Sequence, residues 1–84
     1  MDLTSLDNIP RGKRVEIVKL LFKGRGLINR LYSLGLIPGT VIEIVANFNR
    51  GPLIIKLNNV EIAIGRGLAR KIMVKNVDQK SDRR

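Results

Sequence analysis

No cysteine and no histidine occur among the 84 residues of this chain. The first absence excludes disulfides. Together they remove the thiolate and imidazole ligands that hold zinc and most iron sites. Without histidine the commonest general base is gone as well. A cysteine-free chain fits a reducing, cytoplasmic setting. Aromatic side chains are scarce, limited to Phe22, Tyr32 and Phe48. Long apolar runs are missing too, since none approaches the ~20 residues a membrane helix needs. The start, Met1-Asp2-Leu3-Thr4-Ser5-Leu6-Asp7, has no basic stretch leading into an apolar core. Neither a signal peptide nor direct membrane insertion is expected.

Positive charge is plentiful instead. Lys and Arg number 16 against 7 Asp and Glu, for a net charge of +9. Such a balance suits nucleic acid, an anionic lipid surface or an acidic protein partner. The basic residues are spread from Arg11 to Arg84 with no dense block, which also fits a solvated surface on a small domain. Proteins that bind single strands stack bases on several aromatics. Nucleic-acid binding is therefore disfavoured by composition and stands as the alternative reading. The length allows one domain, which at this size buries roughly 60% of its unfolded surface.

The best-punctuated stretch is Leu31-Tyr32-Ser33-Leu34-Gly35-Leu36-Ile37-Pro38-Gly39-Thr40. Leu27, Leu31 and Leu34 recur at helical spacing, and Gly35 suits the left-handed position that closes a helix. No Ser, Thr or Asp marks the start of that helix, so it lacks a side-chain N-cap. A helix of two to three turns is unstable alone and is expected to pack its leucines on a sheet. Ile37-Pro38-Gly39-Thr40 fits a type II turn. Lys13 to Leu21 reads as a strand after the Ile9-Pro10-Arg11-Gly12 turn. Further strands are expected from Val41 to Ala46, from Leu53 to Leu57, from Val60 to Ile64 and from Ile72 to Val77. Asn58-Asn59 is a two-residue hairpin turn, and Gly65 to Arg70 a single helical turn. Residues 1–8 read as a loose arm, 9–77 as the folded domain and 78–84 as a frayed polar tail. About five short strands, one short helix and a helical turn before the last strand make a mainly-β chain. They suit a small, partly open barrel of SH3-like or OB type.

Nothing in the side chains points to catalysis. The only serines are Ser5, Ser33 and Ser81. Glu16, Glu43 and Glu61 fall one per strand, and would bind a hard cation only if clustered. Pairing of each with a neighbouring Lys or Arg is the simpler account. Gly24-Arg25-Gly26 and Gly65-Arg66-Gly67 precede helical segments, where backbone amides hold anions. Neither completes a P-loop or a dinucleotide fingerprint, and tight turns explain both. No enzyme activity, cofactor, metal site or small-molecule substrate is expected.

The same segments resemble the FeoA family. The likeness runs through Leu31-Tyr32-Ser33-Leu34-Gly35-Leu36-Ile37-Pro38-Gly39, the strand from Val41 and Gly51-Pro52-Leu53. It continues from Ile62-Ala63-Ile64-Gly65-Arg66-Gly67 through Leu68-Ala69-Arg70-Lys71-Ile72-Met73-Val74. It covers most of the chain from about Lys13 to Val77. The resemblance implies an SH3-like barrel with the helix inserted after the first strand. It also implies an accessory role in bacterial ferrous iron uptake beside FeoB, a membrane transporter with a cytoplasmic GTP-binding domain. A cytoplasmic protein recruited to the inner membrane face by that partner is expected. The same fold ends the iron-dependent repressors, so a stand-alone relative of that domain is the other alternative. Departures from the family lie in the polar loop Asn47 to Arg50 and in the Asn58-Asn59 turn.

A binding role directs attention to the helix and the corner after it: Arg25, Arg30, Tyr32, Leu36, Ile37 and Pro38. Arg and Tyr are enriched at interfaces, and apolar residues at a corner are candidate anchors. Closure of the barrel end competes for Leu36 and Ile37. An exposed sheet edge beside the helix would offer pairing to a second copy.

Overall fold

The punctuation around Gly35 forms as a set of hydrogen bonds. Helix α1 spans Arg25–Ser33 and its start has no side-chain cap. At its end the Gly35 amide donates to the Tyr32 carbonyl at 2.9 Å and the Leu36 amide to the Leu31 carbonyl at 2.9 Å. These are the two bonds of a Schellman motif, with Gly35 at φ +93° in the left-handed position. Leu31 and Leu36, both buried, supply the apolar contact that usually accompanies it. The Thr40 amide then donates to the Ile37 carbonyl at 3.1 Å, and Gly39 has φ +97°, as a type II turn requires.

The computed structural model describes residues 3–77; the polar tail read over 78–84 lies outside them. The strands are β1 (Thr4–Ser5), β2 (Arg14–Leu20), β3 (Val41–Ala46), β4 (Leu53–Leu57), β5 (Val60–Ile64) and β6 (Ile72–Asn76). A 3₁₀ turn covers Leu6–Asn8, and α2 is the four-residue turn Arg66–Ala69. All strand pairs are antiparallel, in the order β1-β6-β2-β3-β4-β5. Register shifts at Val18 in β2 and Val45 in β3 mark bulges. Bulges bend a strand and increase its twist, which lets a short sheet curl round one core. The result is a mainly-β, SH3-like barrel left open between its end strands. Asn58 and Asn59, at φ +52° and +67°, make the primed hairpin turn between β4 and β5.

Alternation decides the core. Val15 and Ile17, Ile42 and Ile44, Leu53, Ile55 and Leu57, Ile72 and Val74 all turn inward and are buried. No polar or charged side chain is buried among the described residues.

Two expectations need correction. The arm over residues 1–8 is not loose from residue 4 onward. Thr4 and Ser5 pair with Val74 and Met73 of β6, and Leu6 is fully buried. They add a sixth strand and close one end of the core. The leucines of α1 are not all buried either. Leu31 is, while Leu27 and Leu34 are 39% and 46% exposed. Nine helical residues reach the sheet over one turn, and the stripe on either side overhangs it. Along β5 burial falls away from Ile64 to Val60, because the strand is the sheet's last and its start projects past the core.

Candidate functional site

The overhang of α1 creates a cleft. One wall is the helix stripe Leu27, Arg30 and Leu34, at spacings of three and four that bring the side chains to one face. The other wall is Ile62, Ala63 and Ile64 of β5, with Leu31, Leu36 and Leu68 deeper in. The cleft measures about 290 Å³, just under the roughly 300–1,000 Å³ of small-molecule sites. Three consecutive strand residues line it, although strand side chains alternate between faces. A cleft meets all three only where it runs along the strand's edge.

The six residues singled out at the corner do not form one surface. Arg30 is on the cleft wall. Leu36 is wholly buried and offers no contact surface: barrel closure takes it. Ile37 is 39% exposed and Pro38 is exposed, in the turn that leads to β3. Arg25 and Tyr32, both exposed, lie about 140–160° round the helix from Leu27 at 3.6 residues per turn. They face away from the cleft. Of the exposed residues singled out, Arg30 lines the cleft; Leu27 and Leu34 beside it were not singled out, because exposed and buried leucines look alike in a helical repeat.

Charge is distributed unevenly. The described residues carry four carboxylates, Asp7, Glu16, Glu43 and Glu61, each set against a base. Glu16 pairs with Lys75 at 3.8 Å and Asp7 with Arg70 at 3.8 Å. Glu43 sits in register between Arg14 and Lys56, and Glu61 opposite Lys56. The glutamates therefore sit each beside a lysine or arginine on the sheet, and no three of them come together. No group of three or more metal-ligating side chains comes together among the described residues. Across the outer sheet face Arg14, Glu43, Lys56 and Glu61 stand in register and alternate in sign. By contrast, Arg25 and Arg30 make no side-chain hydrogen bond or ion pair among the described residues, and α1 carries no acid.

Arg66 of the Gly65-Arg66-Gly67 segment is committed to structure. Its guanidinium donates to the Gly51 carbonyl at 3.3 Å, to the Asp7 carbonyl at 3.4 Å and to Asn47 Oδ1 at 2.7 Å. Asn47 Nδ2 donates in turn to the carbonyls of Asp7 and Ile9 at 3.1 and 2.8 Å. The pair ties the N-terminal segment, the β3–β4 loop and α2 together, and answers the turn reading of this glycine pair. Arg66→Met should lower stability by about 1–3 kcal/mol in urea denaturation, since three hydrogen bonds from a charged donor, joining three segments, are lost together. Arg66→Lys should recover little, because one ammonium cannot span three acceptors.

Comparison with known proteins matches the FeoA domain model to residues 4–76. The chain belongs to the FeoA family. This is a family of ferrous iron transport accessory proteins, and its domain begins where β1 begins, not at residue 9. A Methanocaldococcus jannaschii protein assigned as Fe(2+) transport protein A is 45% identical over 62 residues, 74% of each chain. The crystal structure of an iron uptake regulatory protein (FeoA) is 31% identical with a TM-score of 0.80, covering 92% of this chain and all of that one. The fold also recurs in T. acidophilum IdeR, at TM-score 0.80 and 19% identity, covering 92% of this chain and 35% of that chain. The likeness to IdeR is one of fold alone. Within this FeoA domain the Leu-Gly-Leu segment sets the helix end and the cleft floor, and the segment from Ile62 to Leu68 supplies the facing wall.

Proposed function

We propose that this FeoA-family chain is a non-catalytic accessory protein that acts in the cytoplasm by binding the cytoplasmic GTP-binding part of a FeoB-like membrane transporter. The observation that carries this reading is the stripe Leu27-Arg30-Leu34. It is apolar and cationic, lies on a domain of the iron-transport family, and is left unpartnered by the fold. Two further features support it. The chain has no histidine or cysteine for acid–base, nucleophilic or soft-metal chemistry. Its glutamates are placed against lysine and arginine, leaving the helix cations to face outward.

Docking driven partly by charge weakens as salt rises, because ions screen the attraction between rim charges. The full chain should bind the detergent-solubilised transporter saturably in biolayer interferometry, with affinity that falls as ionic strength increases. It should hydrolyse no GTP by itself. Absence of saturable binding to transporter that retains its own GTPase activity would overturn the reading.

A further inference from the structure

β5 is an end strand that is only lightly blunted: its one charge is Glu61, and α1 overhangs it across a cleft without closing on it. Proteins ordinarily protect exposed edges with proline, lysine, a bulge or extreme shortness. β1, at the other end of the sheet, is two residues long. β5 has five residues, Val60-Glu61-Ile62-Ala63-Ile64, with no proline and no lysine. Its pairing with β4 runs in unbroken register from Leu53↔Ile64 to Leu57↔Val60, so it holds no bulge.

The register also says which backbone groups are open. Residues that flank a two-residue hairpin turn form a hydrogen-bonded pair, and such pairs alternate along an antiparallel ladder. Leu57↔Val60, Ile55↔Ile62 and Leu53↔Ile64 are therefore the bonded pairs. The N–H and C=O of Glu61 and Ala63 point the other way, to the open edge; Ala63 lines the cleft and Glu61 lies two residues before it on the same edge. Among the described residues, no backbone hydrogen bond outside the ladder involves either one. Across the cleft from Ala63 stand Leu27 and Arg30 of α1 and Leu34 at its C-cap.

We propose that this cleft receives an extended acidic segment of the protein partner, which adds to β5 as a seventh strand. The inference rests on the docking reading above and deepens it. Backbone bonds to Glu61 and Ala63 would give affinity. Alternate apolar side chains would lie between Leu27, Leu34 and Ile62, which is how strand addition achieves specificity. Charge selects an acidic segment over a second copy of this chain. Arg30 on the wall has no counter-ion among the described residues, and two copies would each bring a net charge of +9.

The test uses the full chain and the solubilised transporter, with three single variants. Ala63→Pro removes an outward N–H and obstructs the edge while sparing the ladder, a position where proline is tolerated. Arg30→Glu reverses the wall charge on an exposed helix position. Tyr32→Ala lies on the opposite helix face and serves as comparison. Thermal denaturation of each verifies folding. Ala63→Pro and Arg30→Glu should each weaken binding tenfold or more, and Tyr32→Ala by less than twofold. Hydrogen exchange of the Glu61 and Ala63 amides should slow in the wild-type complex. Wild-type binding that survives Arg30→Glu and leaves those amides unprotected would overturn the cleft while leaving docking intact. A Glu61–Ala63 edge already protected in the free chain, with sedimentation as a dimer that Ala63→Pro dissociates, would assign the edge to a second copy and overturn the proposal. Failure of the wild-type chain to bind at all would remove the docking reading itself.

Discussion

Leu6→Ala should destabilise this domain by about 2–4 kcal/mol, a large share of the roughly 5–15 kcal/mol that holds small proteins folded. Leu6 has no exposed surface, although it sits in a stretch with serine, aspartate and asparagine around it. Two strand pairings just before it, Thr4↔Val74 and Ser5↔Met73, fix its approach to the core. Just after it, the carbonyls of Asp7 and Ile9 are held by Asn47, and that of Asp7 by Arg66 as well. With both flanks tied down, the segment cannot collapse into the space left by the missing side chain, so the cavity term adds to the transfer term. Leu3→Ala is the internal comparison. Leu3 is 40% exposed, and its truncation should cost under about 1 kcal/mol. Urea denaturation of both variants measures the difference. A Leu6→Ala midpoint matching wild type would return residues 4–8 to the status of a dispensable arm.

That segment shows where sequence reading stops. Local signals were legible because a few neighbouring residues determine them. Gly35 ends a helix, Pro38-Gly39 makes a type II turn and Asn58-Asn59 a hairpin, all through backbone preferences of the residues themselves. The inward faces of β2, β3 and β4 were legible through a period of two. A two-residue strand has no period to read. β1 exists because β6, about seventy residues further along, offers an edge, and a pairing so distant leaves no trace in residues 4 and 5 alone. The helix posed a related difficulty. Leu27, Leu31 and Leu34 are interchangeable as letters, and only the angle at which α1 meets the sheet separates the buried one from the two that overhang. That α1 would carry arginine beside leucine was readable. The location of the cleft along β5 was not, because which strand ends a sheet is a property of topology.

Gly35→Ala should cost about 2–4 kcal/mol, from two sources that can be measured apart. The first is conformational. At φ +93° an L-residue meets the steric penalty of the left-handed region, on the order of 1 kcal/mol. The second is packing. A methyl at residue 35 would approach Leu57 Cδ2 to 2.9 Å, nearer than carbon atoms tolerate. Leu57 is itself a core residue, so its movement crowds others, and overpacking of this kind costs about 1–3 kcal/mol. Gly39→Ala isolates the first source. Gly39 has φ +97° with no atom within 4 Å of a new Cβ, so only the conformational part, about 1 kcal/mol, should appear. Pairing Gly35→Ala with Leu57→Ala isolates the second, because truncating Leu57 removes the obstacle. On that background the glycine substitution should cost no more than Gly39→Ala, giving a coupling of about 1–3 kcal/mol in the double-mutant cycle. Strict additivity would mean that the backbone angle alone demands glycine here. Coupling would mean that the helix end is seated on β4 by contact. In that case the same methyl group would lift Leu36, the next residue, from the floor of the cleft, so affinity for the proposed partner should fall together with stability.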